Sequence, residues 1–176
     1  MDYLKLKHIK DTFVLSNLPY KKFYASSLML VGTVENNSED VKLARGLIKF
    51  NLNKLEGRLV KKATLKLYVR KKQTCNDCGF PMILNVGINK EYVHIPSTTW
   101  IESPNFDIIG EATPIGAGDV GKYVDVELTN TFNKWLSGEV DNNGITLLLE
   151  NATKDTIVSF SSTSGSKPPY IEYELA

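Results

Sequence analysis

Apolar and polar residues alternate with a period of two along much of the chain, and this pattern predicts β-strands. The clearest case is residues 60–70. Alternate positions there form an apolar row: Ala63, Leu65, Leu67 and Val69. The positions between them form a polar row: Lys62, Thr64, Lys66, Tyr68 and Arg70. Such alternation is typical of an antiparallel strand with one buried face and one solvated face. We therefore predict that the polar row faces solvent.

Turn-forming residues separate these alternating segments at short intervals, for example at Asn36-Asn37, Glu56-Gly57 and Asn143-Gly144. Many short strands joined by regular turns are typical of a sandwich or jelly roll and not of βαβ units. The sequence therefore predicts an all-β fold, an antiparallel β-sandwich of jelly-roll type.

One segment departs from the period of two and predicts a short helix near residues 130–137. Phe132, Trp135 and Leu136 recur at helical spacing, Thr129 is placed to act as the N-cap, and Gly138 follows as C′. Trp135 lies on the apolar side of this helix, so we expect it to belong to the core.

The first ten residues are predicted to form a strand-like extension ahead of a single domain over residues 11–176. Residues 3–9 alternate apolar and polar side chains, with no indication of which face is buried. We expect this strand to pair with a sheet edge, in its own molecule or in a neighbouring one.

Segments in the right order resemble the DNRLRE family of β-sandwich modules, which is grouped with the carbohydrate-binding modules. Residues 45–50 resemble its "R-x-L-L-x-F" signature, and residues 63–68 resemble its "A-x-L-x-L-Y" strand. The other matching segments are residues 11–14, 28–32, 100–102, 123–144, 159–162 and 168–173. The resemblance implies a β-sandwich without catalytic activity.

Composition and charge exclude several classes of partner. The chain has 21 Lys and Arg against 20 Asp and Glu, a net charge of +1, so no bulk electrostatic attraction to nucleic acid or to a membrane surface is expected. No apolar run approaches the ~18 residues of a spanning helix, and no apolar core of a signal peptide is visible. We therefore expect neither nucleic-acid binding nor membrane insertion.

Cys75 and Cys78 form the only strict motif with its own chemistry. The residues that follow, Gly79-Phe80-Pro81, do not favour the helix N-terminus on which a redox cysteine depends. A zinc site needs four ligands, and the spacing of the two cysteines to His8 and His94 brings no such set together. No metal or cofactor is therefore predicted. The pair is interpreted as a loop-tip pair, either free thiols or an oxidised clasp, with a bond to a neighbouring subunit as an alternative.

The polar row offers a candidate ligand surface: Lys62, Lys66, Tyr68 and Arg70. Lys and Arg suit carboxylate or phosphate groups on a sugar, and an aromatic ring can stack on the sugar itself. The alternative is a solvated strand face whose lysines discourage edge pairing. Trp100, in a loop-like context, is a further candidate platform for a sugar.

Catalysis has little support, and no catalytic residues are predicted. The two histidines lack a serine or cysteine partner signature, and no phosphate-binding, dinucleotide or calcium motif is present.

Two function hypotheses remain. In the first, the chain is a non-catalytic structural subunit of a cell, spore or virion surface, which it reaches by an unknown route. It would associate with copies of itself or with other surface proteins through its sandwich and N-terminal strand. The candidate assembly residues are Tyr3, Leu4, Leu6, Ile9, Cys75 and Cys78. In the alternative, the chain is a carbohydrate-binding module that recognises a polysaccharide, an anionic one if the polar row is the site.

Overall fold

The computed structural model describes residues 3–35, 41–73, 82–150 and 156–176. These residues form twelve strands and one α-helix. The elements are β1 (Leu4–Leu6), β2 (Ile9–Leu15), β3 (Leu28–Glu35), β4 (Val41–Phe50), β5 (Val60–Gln73), β6 (Met82–Asn89), β7 (Phe106–Ile108), β8 (Thr113–Ile115), β9 (Tyr123–Glu127), α1 (Thr129–Leu136), β10 (Ile145–Glu150), β11 (Thr156–Ser161) and β12 (Tyr170–Leu175). Cys75 and Cys78 lie outside the described residues.

The strand pairings are antiparallel and form two sheets that share β5. The first sheet has the order β1–β12–β5–β9. In the second, β4 pairs with β2 along one edge and with β3 and β10 along the other. The sheet continues through β6 to β7 and β8, and β3 leads through β11 back to the C-terminal part of β5. The prediction of an antiparallel β-sandwich with one short helix is confirmed.

The two sheets enclose a common apolar core, and the alternation along β5 determines which side chains enter it. All four residues of the apolar row are 0 % exposed. On the opposite face, Lys62 and Arg70 are exposed and Lys66 and Tyr68 are partly buried. Thr64 is the exception, since it is buried although it belongs to the polar row.

Helix α1 packs its aromatic side chains into the end of this core. Trp135 is 7 % exposed and its ring centroid lies 5.8 Å from that of Phe50, so the expectation that it is a core residue is confirmed. Gly138 follows the helix with a φ of +77°, the left-handed conformation expected of C′.

The N-cap prediction was wrong. Thr129 is the first helical residue, and its hydroxyl oxygen accepts a hydrogen bond from the Ala63 amide at 2.9 Å and donates to the Glu127 carboxylate. The Thr129 side chain therefore ties the helix to β5 and does not cap the helix.

The N-terminal residues form two strands where a single one was expected. Leu4–Leu6 pairs with β12 of the same chain, and Ile9 opens β2, which pairs with β4. Leu6 and Ile9 are both buried, at 2 % and 8 % exposure, although three positions apart they would point to opposite faces of one strand. The backbone therefore changes direction at residues 7–8 and passes from the first sheet to the second.

No helix in the described ranges is both long and apolar enough to span a bilayer.

Candidate functional site

The lysine at the middle of the polar row is already paired with carboxylates. Lys66 Nζ lies 2.7 Å from Asp125 Oδ1 on β9 and 3.7 Å from Glu172 Oε1 on β12. Partial burial acts to lower the pKa of Lys66, but the hydrogen bond to Asp125 and the two carboxylate charges outweigh it and raise that pKa. Lys66 is therefore a charged side chain whose charge is compensated within the fold.

The Lys62 end of the row faces further acidic residues. A cleft of about 260 Å³ there is lined by Lys62 together with Glu111, Asp125 and Glu127. Asp125 is already paired with Lys66, so Glu111 and Glu127 remain against the single ammonium of Lys62 and repel an anionic ligand. Arg70, at the other end of the row, is exposed.

Tyr68 belongs to a cluster of three tyrosines contributed by three adjacent strands. The ring centroids of Tyr68 and Tyr123 are 5.2 Å apart, and those of Tyr123 and Tyr170 are 5.3 Å apart, both pairs in an edge-to-face arrangement. Lys5 Nζ, on β1, lies 4.7 Å from the centroid of Tyr170. We call these four residues the tyrosine face. It combines partly exposed aromatic rings with a cation on the outer surface of the first sheet.

A cleft of about 590 Å³ adjoins the tyrosine face, and Lys5, Lys7, Tyr123 and Tyr170 line it together with Pro168. Tyr123 Oη donates a hydrogen bond to the carbonyl oxygen of Pro168 at 3.2 Å, which fixes the ring. Burial, followed by the neighbouring tyrosines, raises the pKa of Tyr123, so its hydroxyl stays protonated and remains a donor.

The loop that carries Pro168 is anchored to the core by Asp11. The backbone amide and the hydroxyl of Thr163 donate to the Asp11 carboxylate at 3.0 Å and 2.9 Å. Asp11 is 1 % exposed, and burial raises its pKa to about 6 against the lowering effect of these two hydrogen bonds. This contact holds one wall of the cleft in place.

Trp100 lies over the second sheet and is engaged by its own chain. It is partly buried against a small cluster that includes Val14, Leu47 and Val93. The guanidinium of Arg45 lies 4.9 Å from the Trp100 ring centroid. Burial lowers the pKa of Arg45. The ring therefore offers less open surface than its loop context led us to expect.

Of the candidate assembly residues that the structure describes, two are exposed and two belong to the core. Tyr3 and Leu4 are 40 % and 46 % exposed, whereas Leu6 and Ile9 pack inside their own molecule. In the part of the chain that the structure describes, no group of three or more His, Cys, Asp or Glu residues is placed to hold a metal ion.

Sequence reasoning missed Lys5, Tyr123 and Tyr170 as partners of Tyr68. Each lies on a predicted strand, but only the register between strands shows that they meet. Tyr68 is directly opposite Tyr123, while Tyr170 is opposite Lys66. An alternating pattern gives the face on which a residue lies and does not give its cross-strand neighbour.

Comparison with known families gives one match over almost the whole chain. The model of carbohydrate-binding module family 96 matches residues 2–174. A search of curated proteins found no match. The family match confirms the resemblance to a carbohydrate-binding-module-like β-sandwich. It favours the carbohydrate-binding hypothesis over the self-associating surface subunit, for which the comparisons give no support.

Proposed function

We propose that this chain, which belongs to carbohydrate-binding module family 96, is a non-catalytic module. It binds an acidic polysaccharide on its tyrosine face. The observation that carries this proposal is the combination of three adjoining tyrosine rings with Lys5 beside a cleft of about 590 Å³. Such a module acts outside the cell or at a surface, where polysaccharides are found.

The tyrosine rings suit the body of a sugar. Tyrosine presents an apolar ring and a polar hydroxyl, so that it packs against the C–H groups of a sugar and also bonds its hydroxyls. The edge-to-face packing of Tyr68, Tyr123 and Tyr170 holds the rings in place before a ligand arrives. Little side-chain entropy is then lost on binding.

The charges around the cleft suit an anionic group on that sugar. Lys5 and Lys7 both line it, and no Asp or Glu of the described residues does. A carboxylate or sulfate entering the cleft gains charge-assisted hydrogen bonds from these lysines. The nearest acidic neighbour by register is Glu172, opposite Lys5, and it lies outside the cleft lining and 3.7 Å from Lys66 Nζ. At the Lys62 end of the polar row, the carboxylates reverse this balance.

The test is binding of acidic and neutral polysaccharides to Tyr170→Ala and Tyr123→Ala variants, measured by affinity electrophoresis and titration calorimetry. Removing a central aromatic contact is expected to weaken binding by about tenfold or more. Tyr20→Ala is the matched control, because Tyr20 is 75 % exposed and lies in a different part of the molecule.

Binding to the wild-type protein should also weaken with added salt, since exposed charges are screened over about 8 Å at physiological ionic strength. Wild-type affinity in both tyrosine variants would overturn the proposal. Salt-independent binding to a neutral polysaccharide would do so too, and would direct attention to Trp100.

Self-association is a separate hypothesis with one supporting observation. Strand β1 pairs with β12 on one side only among the described residues, and an exposed Leu4 lies on this edge strand. Unpaired strand edges are sites of association between chains. Sedimentation of the purified protein tests this, and a monomer at all concentrations used for the binding assays would reject it.

A further inference from the structure

The loop between β11 and β12, residues 162–169, forms one wall of the cleft beside the tyrosine face. We call it the Thr163 loop. Thr163, Pro168 and Pro169 line the cleft of about 590 Å³. Any displacement of this loop therefore changes the shape of the cleft.

The two ends of the Thr163 loop and its middle are held by different contacts. At the start, the Ser162 amide donates to the carbonyl oxygen of Ser27 at 3.0 Å, and the Ser162 hydroxyl donates to that of Ser26 at 2.6 Å. Near the other end, the Pro168 carbonyl oxygen accepts the hydrogen bond from Tyr123 Oη. Between them, the amide and hydroxyl of Thr163 donate to Asp11 on β2. The Asp11 contact is therefore the one of these that depends on an ionisable carboxyl group.

The carboxyl group of Asp11 is buried among apolar side chains. Asp11 is 1 % exposed and lies on the same face of β2 as Ile9 and Phe13, and its register partner on β4 is Ile48. These three neighbours belong to the core of the sandwich. A buried carboxylate without a cation loses its hydration and gains little in return. Ionisation of Asp11 is therefore costly while the loop covers it.

The charged and titratable side chains of the elements around Asp11 share one property, in that none of the ion pairs of the described residues joins them to it. They are Lys10, Arg45 and Lys49 on the opposite face of β2 and β4, Lys7, His8, Lys22, His94 and Lys167 in exposed positions, Lys21 over the ring of Phe23, and Glu35 at the C-terminal end of β3. The hydrogen bonds from Thr163 are thus the contacts that offset the burial of Asp11.

The contact between Asp11 and Thr163 can form in both protonation states of the carboxyl group. The ionised group accepts from the amide at 3.0 Å and from the hydroxyl at 2.9 Å. A protonated group still accepts from the amide and can donate its own proton to the hydroxyl oxygen. The difference is that the ionised group holds a charge away from water. Protonation therefore favours the closed loop, and ionisation favours a state in which water reaches Asp11.

We propose that the Thr163 loop is a pH-sensitive wall of the cleft, held against β2 while the Asp11 carboxyl is protonated and released more often once it ionises. In the closed state, burial raises the pKa of Asp11 to about 6 against the lowering effect of the Thr163 hydrogen bonds, whereas a hydrated carboxyl titrates near its ordinary value of 3.8. Closure is thus most stable below pH 3.8 and loses that stability as the pH rises through about 6. The cleft keeps its shape better in weakly acidic than in neutral solution.

The experiment follows hydrogen exchange of the Thr163 amide by NMR in the protein without ligand, corrected for the intrinsic effect of pH on exchange. This amide donates to Asp11, so its protection reports the contact directly. Protection should fall about tenfold between pH 5 and pH 7.5, because the two states of the loop bind the Asp11 proton differently. In Asp11→Asn, protection should stay constant over this range. Glu111→Gln removes an exposed carboxyl that lines the other cleft and should retain the wild-type change.

The amides of the core strands separate release of the loop from unfolding of the whole domain. Leu65 of β5 and Leu147 of β10 lie on strands that are paired on both sides. Their amides should be protected far more strongly than that of Thr163 at both pH values. Low concentrations of urea should accelerate their exchange and leave that of Thr163 unchanged, since release of a loop exposes little surface.

Two results would overturn the proposal in the wild type: constant protection of Thr163 between pH 5 and pH 7.5, or protection as strong as that of Leu65 and Leu147. The wild-type change persisting in Asp11→Asn would assign the titration to another group. If Asp11→Asn does not fold, Thr163→Ala provides the test. It removes the hydroxyl that lowers the pKa of Asp11, so the fall in protection should move to higher pH. An unmoved midpoint would reject Asp11 as the switch. Because no ligand is present, none of these results bears on the proposed function.

Discussion

The lysines of β5 and those of the N-terminal strands lie on similar exposed strand faces, but their surroundings differ. Lys66 has Asp125 at 2.7 Å and Glu172 at 3.7 Å. Lys10 has another lysine, Lys49, as its register partner. In the sequence, the first region looks like a cationic row along one strand. In the fold, carboxylates on the neighbouring strands compensate the charge of Lys66. The second attracts no notice in the sequence, and none of the ion pairs of the described residues involves Lys10 or Lys49. A cationic site is therefore a property of neighbouring strands taken together.

The energies involved explain how such a difference can persist. An exposed ion pair contributes about 0–1 kcal/mol, and a like-charge pair across strands is unfavourable by a similar amount. Neither decides whether the sandwich folds, because burial of the apolar core contributes far more. The distribution of surface charge is thus free to follow function.

The largest effect is expected at the end of the core, where α1 packs on β4. Trp135 is only 7 % exposed and packs on Phe50 and Phe132. Trp135→Ala should lower the free energy of unfolding by about 3–5 kcal/mol, as measured by urea denaturation, because it leaves a cavity in the core.

Trp100→Ala is the control for this substitution, since Trp100 is partly buried and covers the outside of the second sheet. Its effect should be smaller. A near-wild-type stability for Trp135→Ala would mean that this ring does not belong to the core, and the contrast between the core and the exposed strand faces would fail.

Asp11 provides the second test, because it is the acidic residue next to Lys10 in the sequence. Its side chain bonds Thr163 and packs on the core side of β2, so it does not compensate Lys10. Burial raises the pKa of Asp11 from 3.8 to about 6, so the folded state holds the proton more tightly than the unfolded state does. The resulting stability is fully present below pH 3.8 and is lost as the pH rises through about 6.

A pKa difference of roughly two corresponds to about 3 kcal/mol. The stability of Asp11→Asn relative to the wild type should therefore increase by about this amount between pH 4 and pH 7, measured by denaturation at several pH values. Asn keeps one oxygen for the Thr163 hydroxyl, but its amide nitrogen replaces the oxygen that accepts from the Thr163 amide, so part of the loop contact is lost. That loss does not depend on pH and leaves the change with pH as the readout. A constant difference across this range would show that Asp11 is not the group that titrates, and a falling difference would place its carboxylate near a cation such as Lys10.

Much of the fold could be predicted from the sequence, because the features that determine it are local. The alternation along β5 identified its buried face, and the spacing of Phe132, Trp135 and Gly138 identified the helix. The N-terminal prediction was less accurate, since a turn at residues 7–8 between two short strands resembles continued alternation. The Thr129 prediction was wrong because the hydroxyl has a partner on β5, which is distant in sequence.

The candidate site could be predicted only in part, because it depends on register. Tyr68 and Lys66 were identified on their own strand, whereas the Tyr123 and Asp125 that determine their roles come from β9. The Lys10–Lys49 pair likewise requires the alignment of β2 with β4. The sequence contains each of these residues but does not specify which of them lie opposite each other on neighbouring strands.

The smallest expected effect addresses the comparison most directly, through charge reversal in each region. Lys10→Glu replaces the like-charge pair with an opposite-charge pair facing Lys49 and should raise the free energy of unfolding by about 0.2–1 kcal/mol. Lys66→Glu places a third carboxylate beside Asp125 and Glu172 and should lower it by a similar or larger amount. Thermal denaturation of both variants without ligand at low ionic strength measures the two shifts, which should shrink in 1 M salt as screening increases. Opposite signs mean that the fold uses Lys66 of β5 for stability and holds the Lys10–Lys49 pair at the expense of stability. If both reversals destabilised the protein equally, Lys10 and Lys49 would have structural partners of their own, and the contrast between the two regions would fail.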